Sequence, residues 1–264
     1  MRPGPGARPR SYKTEAIVLK SIAVRDADRL VTVLTPQLGK LPATVRGARK
    51  VNSRLGGHLD LFNRVDLTLA LGHRIDVVTG AESIESFGAL KSDLDRTAIA
   101  LYVMELTDAM LPEAAPHSRS YNLVLQALRW LNGTGPAVAV PRYVELRLLE
   151  DSGYLPELQN CLVCGKSLEP GHHRFAPALG GVTDDICLVP AGQVLPLSVD
   201  ALKVLRHFAR EGFETGVHVT IDGHLAMELE NILEASLHNV LERQVSSASF
   251  IEHLRRLKQR VAGL

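Results

Sequence analysis

From Val65 to Leu71 the chain alternates: Val65, Leu67, Leu69 and Leu71 fall on one side, and Asp66, Thr68 and the small Ala70 on the other. That period of two belongs to a half-buried strand. Short runs of similar character precede it at Glu15–Lys20, Leu30–Thr35 and Leu41–Val45, and Gly72-His73 offers a hairpin turn into Arg74–Val78. Gly39 closes an earlier turn. Five short strands within residues 11–84 predict a small closed barrel, because closure removes exposed strand edges. An OB-fold is the expected form, although strand pattern alone does not separate it from an SH3-like barrel.

Beyond residue 91 the period becomes helical. Amphipathic runs cover Ile99–Met110, Ser118–Leu131, Pro141–Asp151, Val199–Arg210, Met227–Gln244 and Phe250–Ala262. Ser92-x-x-Asp95 and Ser249-x-x-Glu252 read as capping boxes, Ser198 as an N-cap, and Asn132-Gly133 and Gly153 as stops. Residues 156–196 interrupt this order with a Pro- and Gly-rich stretch of little periodicity that holds all three cysteines. The expected class is therefore α+β: an N-terminal OB-fold β-barrel, then an α-helical domain with an inserted zinc-finger-like lobe. The parts are a basic tail at 1–10, expected to be disordered, the barrel at 11–84, helical segments at 85–155 and 197–264, and the lobe at 156–196.

Charge sharpens the picture. The net charge of +1 is small, but residues 1–60 carry 12 Lys and Arg against four Asp and Glu, leaving 18 against 25 in the remainder. Arg46, Arg49, Lys50 and Arg54 fall within nine residues with no acid among them. Clustered cations on a small β-domain are an electrostatic footprint for a polyanion. Tyr12, Phe62 and Phe87 are the only aromatics among residues 1–90, and Phe62 is expected in the core. Few rings for base stacking point to backbone-directed binding, open to duplex as well as single strands.

The thiol segment reads Cys161-Leu-Val-Cys164-Gly, half of a zinc knuckle. A second CxxC is the usual partner. Here Asp184 stands where its first cysteine would be, three residues before Cys187. The candidate structural zinc set is Cys161, Cys164 and Cys187 with Asp184, or with His172 or His173 in its place; a metal-free lobe is the third reading.

Enzyme motifs are missing from the sequence. There is no GxxxxGK[ST] phosphate loop, no GxSxG, no HExxH and no deaminase HxE. No catalytic residue and no nucleotide are expected. No apolar run reaches membrane-spanning length, so no membrane partner is expected either. A CxxC with one further thiol suits a reducing compartment, the cytoplasm. The C-terminal cations Arg255, Arg256, Lys258 and Arg260 suit either the negative end of a helix or a docking surface.

Several of these motifs come together in one family. Asp28-Arg29, the Thr35-to-Lys40 turn, Gly47-Ala-Arg-Lys50, Ser53 and the Gly57-to-Phe62 step resemble the N-terminal domain of the RecO family of recombination mediators. Cys161-x-x-Cys164-Gly, Gly180-Gly181 and Cys187 resemble its cysteine lobe, which often carries four cysteines; the departure is at Asp184. The resemblance implies a non-enzymatic protein of DNA repair and homologous recombination in the RecF pathway. Such a protein binds single- and double-stranded DNA, anneals complementary strands, and with RecR helps load recombinase on single strands coated by SSB. It implies a cytoplasmic, nucleoid-associated location. Carried over, Arg46, Arg49, Lys50 and Arg54 are the first candidates for phosphates, with Arg25, Arg29 and Lys40 behind them. The acidic SSB C-terminal peptide is expected on the helical region, with Arg142, Arg147, Lys203 and Arg206 as candidates. A protein–protein adaptor with a structural zinc lobe is the alternative.

Overall fold

The computed structural model describes residues 11–24, 27–48, 53, 55–189 and 192–244. Five strands come first: β1 (Ser11–Ala23), β2 (Arg29–Thr35), β3 (Gly39–Val45), β4 (Arg64–Ala70) and β5 (Asp76–Glu85). Hydrogen bonding runs β1-β2-β3-β5-β4 and returns from β4 to β1, closing the barrel. All pairings are antiparallel except β3 with β5, joined at Ala43–Asp76 and Thr44–Val77. The long β1 serves two neighbours: Ser11–Ile17 lies along β4, and Ile17–Ala23 along β2. A register shift between Val18 and Lys20 lets the strand bend around the barrel corner.

The alternation at Val65–Leu69 appears as expected. Val65, Leu67 and Leu69 are buried inside the barrel with Val31, Val33 and Leu59. Each such side chain contributes roughly 1.5–3 kcal/mol by leaving water. Phe62 and Phe87 are buried too, both with left-handed backbone (φ 73° and 51°). Phe62 is held there by main-chain bonds that Val18 exchanges with Phe62 and Asn63, each 3.0 Å.

Three helices follow and pack with the barrel: α1 (Gly88–Ser92), α2 (Leu94–Met110) and α3 (Ser118–Asn132). The cap of α2 differs from expectation. Asp93, not Ser92, accepts from the N–H of Arg96 at 3.1 Å. The Ser92 hydroxyl turns back onto the carbonyls of Gly88 and Ala89, because α1 occupies the preceding turn.

The rest of the chain comprises α4 (Ala139–Asp151), a three-stranded antiparallel sheet, and α5 (Val199–Arg210), α6 (Phe213–Val217) and α7 (Gly223–Gln244). The sheet strands are β6 (His173–Ala176), β7 (Gly181–Asp184) and β8 (Leu195–Leu197), in the order β7-β6-β8. Ser198 caps α5 as expected, accepting from Ala201 N–H at 3.1 Å. Tyr143 of α4 meets Phe208 and Phe213 edge to face, at 5.5 and 5.3 Å between centroids.

The chain separates into two compact units, residues 1–134 and 135–264. The division falls inside the stretch expected to be one helical segment, 85–155. Helices α1–α3 belong with the barrel because they share buried contacts and ion pairs with it, whereas α4 belongs with α5–α7 and the lobe. The helix expected at Phe250–Ala262, with its capping box, lies outside the described residues.

Candidate nucleic-acid interface and thiol cluster

The basic loop leaves β3 at Arg46, which is exposed to solvent. Its two ends are drawn together. On the outgoing side, the Asp28 carboxylate accepts from Gly47 N–H at 2.9 Å. On the returning side, Arg29 donates to the Gly56 carbonyl at 3.5 Å and lies 3.8 Å from the Asp60 carboxylate. A Cβ on Gly56 would stand 2.6 Å from the Ala48 carbonyl oxygen, so the two limbs touch at their backbones. His58 Nδ1 accepts from Ser83 N–H at 3.1 Å and tethers the returning chain to β5. Arg49, Lys50 and Arg54, which follow in the sequence, lie outside the described residues, as does Arg25.

The other two cationic candidates are engaged inside the fold. Lys40 is only 9% exposed; its ammonium pairs with the Asp108 carboxylate at 3.0 Å and donates to the Asp108 carbonyl of α2. Its geometry fits a clamp between β3 and α2 better than a phosphate ligand. Arg29 braces the loop. Neither role is visible in sequence, where Lys40 and Arg46 look alike. Asp28 belongs to the Asp28-Arg29 motif and Gly56 to none of the motifs; their roles in positioning the loop emerge from contacts 19 residues apart (Asp28–Gly47) and 27 apart (Arg29–Gly56).

The aromatic reading is consistent with a backbone-directed surface. Phe62 and Phe87 are buried, and the Tyr12 hydroxyl donates to Asp76 at 2.6 Å. None of these three is an exposed stacking platform.

A mixed ion network lies between barrel and helix. Arg64 of β4 donates to both oxygens of Glu15 on β1, at 2.8 Å each, and to Glu85 of β5 at 2.6 Å. Arg129 of α3 forks onto Glu85 at 2.9 and 2.7 Å, and Tyr121 of α3 donates to Glu15. The Arg129 fork holds the Glu85 carboxyl down to about 2, and Arg64 holds Glu15 below the ordinary range. Burial, and then donation to Glu15, push the Tyr121 phenol up.

In the lobe, the sulfurs of Cys161, Cys164 and Cys187 lie within 4.8 Å of one another. Cys161 is 2% exposed, Cys164 is exposed and Cys187 is half-buried. The Cys161 sulfur accepts from Val163 N–H at 3.4 Å and Asp184 N–H at 3.3 Å. Burial opposes ionisation of Cys161, but these donors together with Cys164 outweigh it and bring the thiol down to about 7. Desolvation and the neighbouring sulfurs push Cys187 up to about 12. A shared site of soft sulfur ligands fits zinc.

The candidate fourth ligands are placed differently from the reading by spacing. Asp184 serves the cluster through its main-chain N–H; its carboxylate does not join the three sulfurs. His173 is buried, with Nε2 bonded to the Glu169 carbonyl at 2.7 Å. His172 and His173 line a cleft with His224 and Glu228 that includes none of the cysteines. The helical candidates for an acidic peptide are mostly engaged. Arg142 is buried against Glu145, Arg147 bonds Glu150 and the Ala209 carbonyl, and Arg206 bonds the Leu158 carbonyl. Lys203 alone of the four is largely exposed, 3.4 Å from Asp200. Among the described residues no helix is long and apolar enough to cross a membrane.

A closed OB-type barrel with a pinched basic loop, joined to a helical unit with a three-thiol lobe, defines a class of barrel-plus-helix nucleic-acid-handling proteins. Within that class, the family model described as Recombination protein O N terminal matches residues 10–87, and the one described as Recombination protein O C terminal matches residues 91–248. The chain is 37% identical over 250 residues to a DNA repair protein RecO of Roseiflexus sp. (strain RS-1), covering 95% of this chain and 88% of that relative. It is 34% identical over 249 residues to a DNA repair protein RecO of Dehalococcoides mccartyi, covering 94% and 98% respectively. The chain belongs to the RecO family of DNA repair proteins.

Proposed function

We propose that this protein is a recombination mediator of the RecF pathway that acts without catalytic chemistry of its own. Its loop after β3, with Arg46, Arg49, Lys50 and Arg54, neutralises phosphates of single- and double-stranded DNA. Arg25 is a further candidate for the phosphates, while Arg29 braces the base of the loop and Lys40 ties β3 to α2. Two screened backbones held on one cationic surface meet at raised local concentration, which speeds annealing of complementary strands. With RecR the protein helps load recombinase on SSB-coated single strands in the cytoplasm, at the nucleoid. The SSB C-terminal peptide, acidic and apolar, docks on the helical unit, where Lys203 is the exposed cation among its candidates.

The observation that carries this reading is the pinched loop. Asp28 and the Ala48–Gly56 contact fix the base of a segment whose sequence carries three further cations. The three thiols would hold a structural zinc, which would supply a cross-link between the Cys161 turn and the end of β7. Ile186 (82% exposed) and Leu188 (86% exposed) beside Cys187 favour, as a second reading, a lobe that also docks a protein partner.

The test is annealing of two complementary labelled strands precoated with SSB, without ATP, followed by energy transfer. Salt-suppressed annealing well above the protein-free rate supports the mediator. No acceleration by a folded protein leaves the adaptor reading.

A further inference from the structure

The thiol cluster has a second chemistry. We propose that it is a reversible oxidation site in which Cys164 and Cys187 form a disulfide while Cys161 remains a thiol. This goes beyond the metal reading, since the bond forms in the metal-free lobe and removes two of the three sulfur ligands when it does.

Three features select the pair. The sulfurs already lie within 4.8 Å of each other, and the bond requires about 2.05 Å, so the pair starts within about 3 Å of bonding distance. Exposure then divides the three. Cys164 is open to solvent and Cys187 is partly open, whereas Cys161 is 2% exposed. Anchoring separates them further. The Cys161 sulfur accepts two main-chain N–H bonds, from Val163 and Asp184, and pulling it into a disulfide would forfeit both. Cys187 sits beyond the end of β7 between Ile186 and Leu188, whose side chains are unpacked, so its segment can shift without disturbing a core.

The reaction needs a peroxide as oxidant. The Cys164 sulfur attacks hydrogen peroxide, breaking its O–O bond, to give a sulfenic acid and water. The Cys187 sulfur then attacks the sulfenic sulfur, giving up its thiol proton, and water leaves. The two thiols together lose two electrons and two protons, and the peroxide becomes two waters. A dithiol reductant reverses the step by thiol–disulfide exchange. A zinc ion on the three thiolates would shield them, so oxidation and metal binding exclude each other.

The experiment uses the full chain, chelator-treated and reduced, then exposed to one equivalent of hydrogen peroxide. Free thiols are counted, and peptides are mapped by mass spectrometry without reduction. The expected result is a fall from three thiols to one, a cross-link joining the Cys164 and Cys187 peptides, and full recovery with dithiothreitol. Cys161→Ser should keep the cross-link. Cys187→Ser should leave Cys164 trapped by a sulfenic-acid reagent. A Cys161–Cys164 cross-link, unchanged thiol counts, or direct passage to sulfinic acid would each overturn the proposal. Circular dichroism on each variant confirms that the thiol counts report on folded protein.

Discussion

Arg64 reaches diagonally across the β1–β4 pair to Glu15, with both carboxylate oxygens accepting at 2.8 Å from one guanidinium. A paired fork of this kind fixes orientation as well as charge. The same guanidinium reaches Glu85, and Arg129 closes the set from α3. The network therefore records how the first helical hairpin is seated on the barrel.

Its pH dependence has a definite sign. Glu85 is held down to about 2, from an ordinary 4.5, chiefly by Arg129. A carboxyl lowered in the folded state stabilises above its unfolded value and loses that contribution as pH falls toward its folded value. The stabilisation is thus complete above about pH 5 and disappears between there and about pH 2. Because the groups are partly solvated, about 1 kcal/mol is expected after screening. Urea unfolding of wild type and Glu85→Gln should differ by that amount at pH 7, by about half of it near pH 3, and converge toward pH 2. A constant gap across that range would refute the assignment.

Gly39 makes a sharper prediction. Its φ is +72°, and a Cβ there would lie 1.7 Å from the Ala115 carbonyl oxygen. Gly39→Ala must shift either the β3 turn or the α2–α3 connection, against the main-chain bond from Ala114 N–H to Lys40 carbonyl at 3.1 Å. A loss of about 3 kcal/mol is expected from strain plus displacement. Chemical denaturation at neutral pH measures it, and a change under 0.5 kcal/mol, the ordinary surface range, would show that the contact relaxes freely.

Sequence reading reached the strands because one face of each is buried, which imposes period two, and it reached the long helices because they bury a stripe. It missed α6 and the sheet β6-β7-β8, whose strands of three or four residues are too short to show a period. It chose Ser92 over its neighbour Asp93 because both residue types cap helices, and only the presence of α1 decides between them. The thiol cluster was legible from CxxC and one further cysteine. The role of Asp184 was not, since spacing locates a residue but does not tell a carboxylate ligand from a main-chain donor.

Lys40 and the loop cations should separate in a DNA-binding assay. Each phosphate neutralised adds about 0.7 to the salt slope for single strands and about 0.9 for duplex. Arg49→Ala with Lys50→Ala should weaken binding to unrelated sequences equally and lower the slope by roughly 1.4 on single strands. Lys40→Met should leave the slope unchanged and instead lower stability, because Asp108 loses its partner at 3.0 Å. A Lys40→Met variant with normal stability but a reduced slope would return Lys40 to the DNA surface.

Zinc binding, if the lobe uses its three thiols, carries its own signature. Thiols must lose protons to become ligands, so binding releases acid and weakens below neutral pH. The Cys161 thiol is brought down to about 7 and Cys187 pushed up to about 12, so metal must displace the proton from Cys187 in the neutral range. Titration of reduced protein with zinc at pH 7.5 should saturate at about one ion per chain, with proton release seen as a buffer-dependent heat. Cys164→Ser, which removes the exposed ligand without touching the N–H bonds to Cys161, should weaken binding at least tenfold. Chelation should make the lobe more readily cleaved by protease near Cys161 and Cys187, since the ion would tie these two turns together. Protein that takes up no zinc, or takes it up unaltered in Cys164→Ser, would show that the lobe is held by packing around Phe175 and Val182.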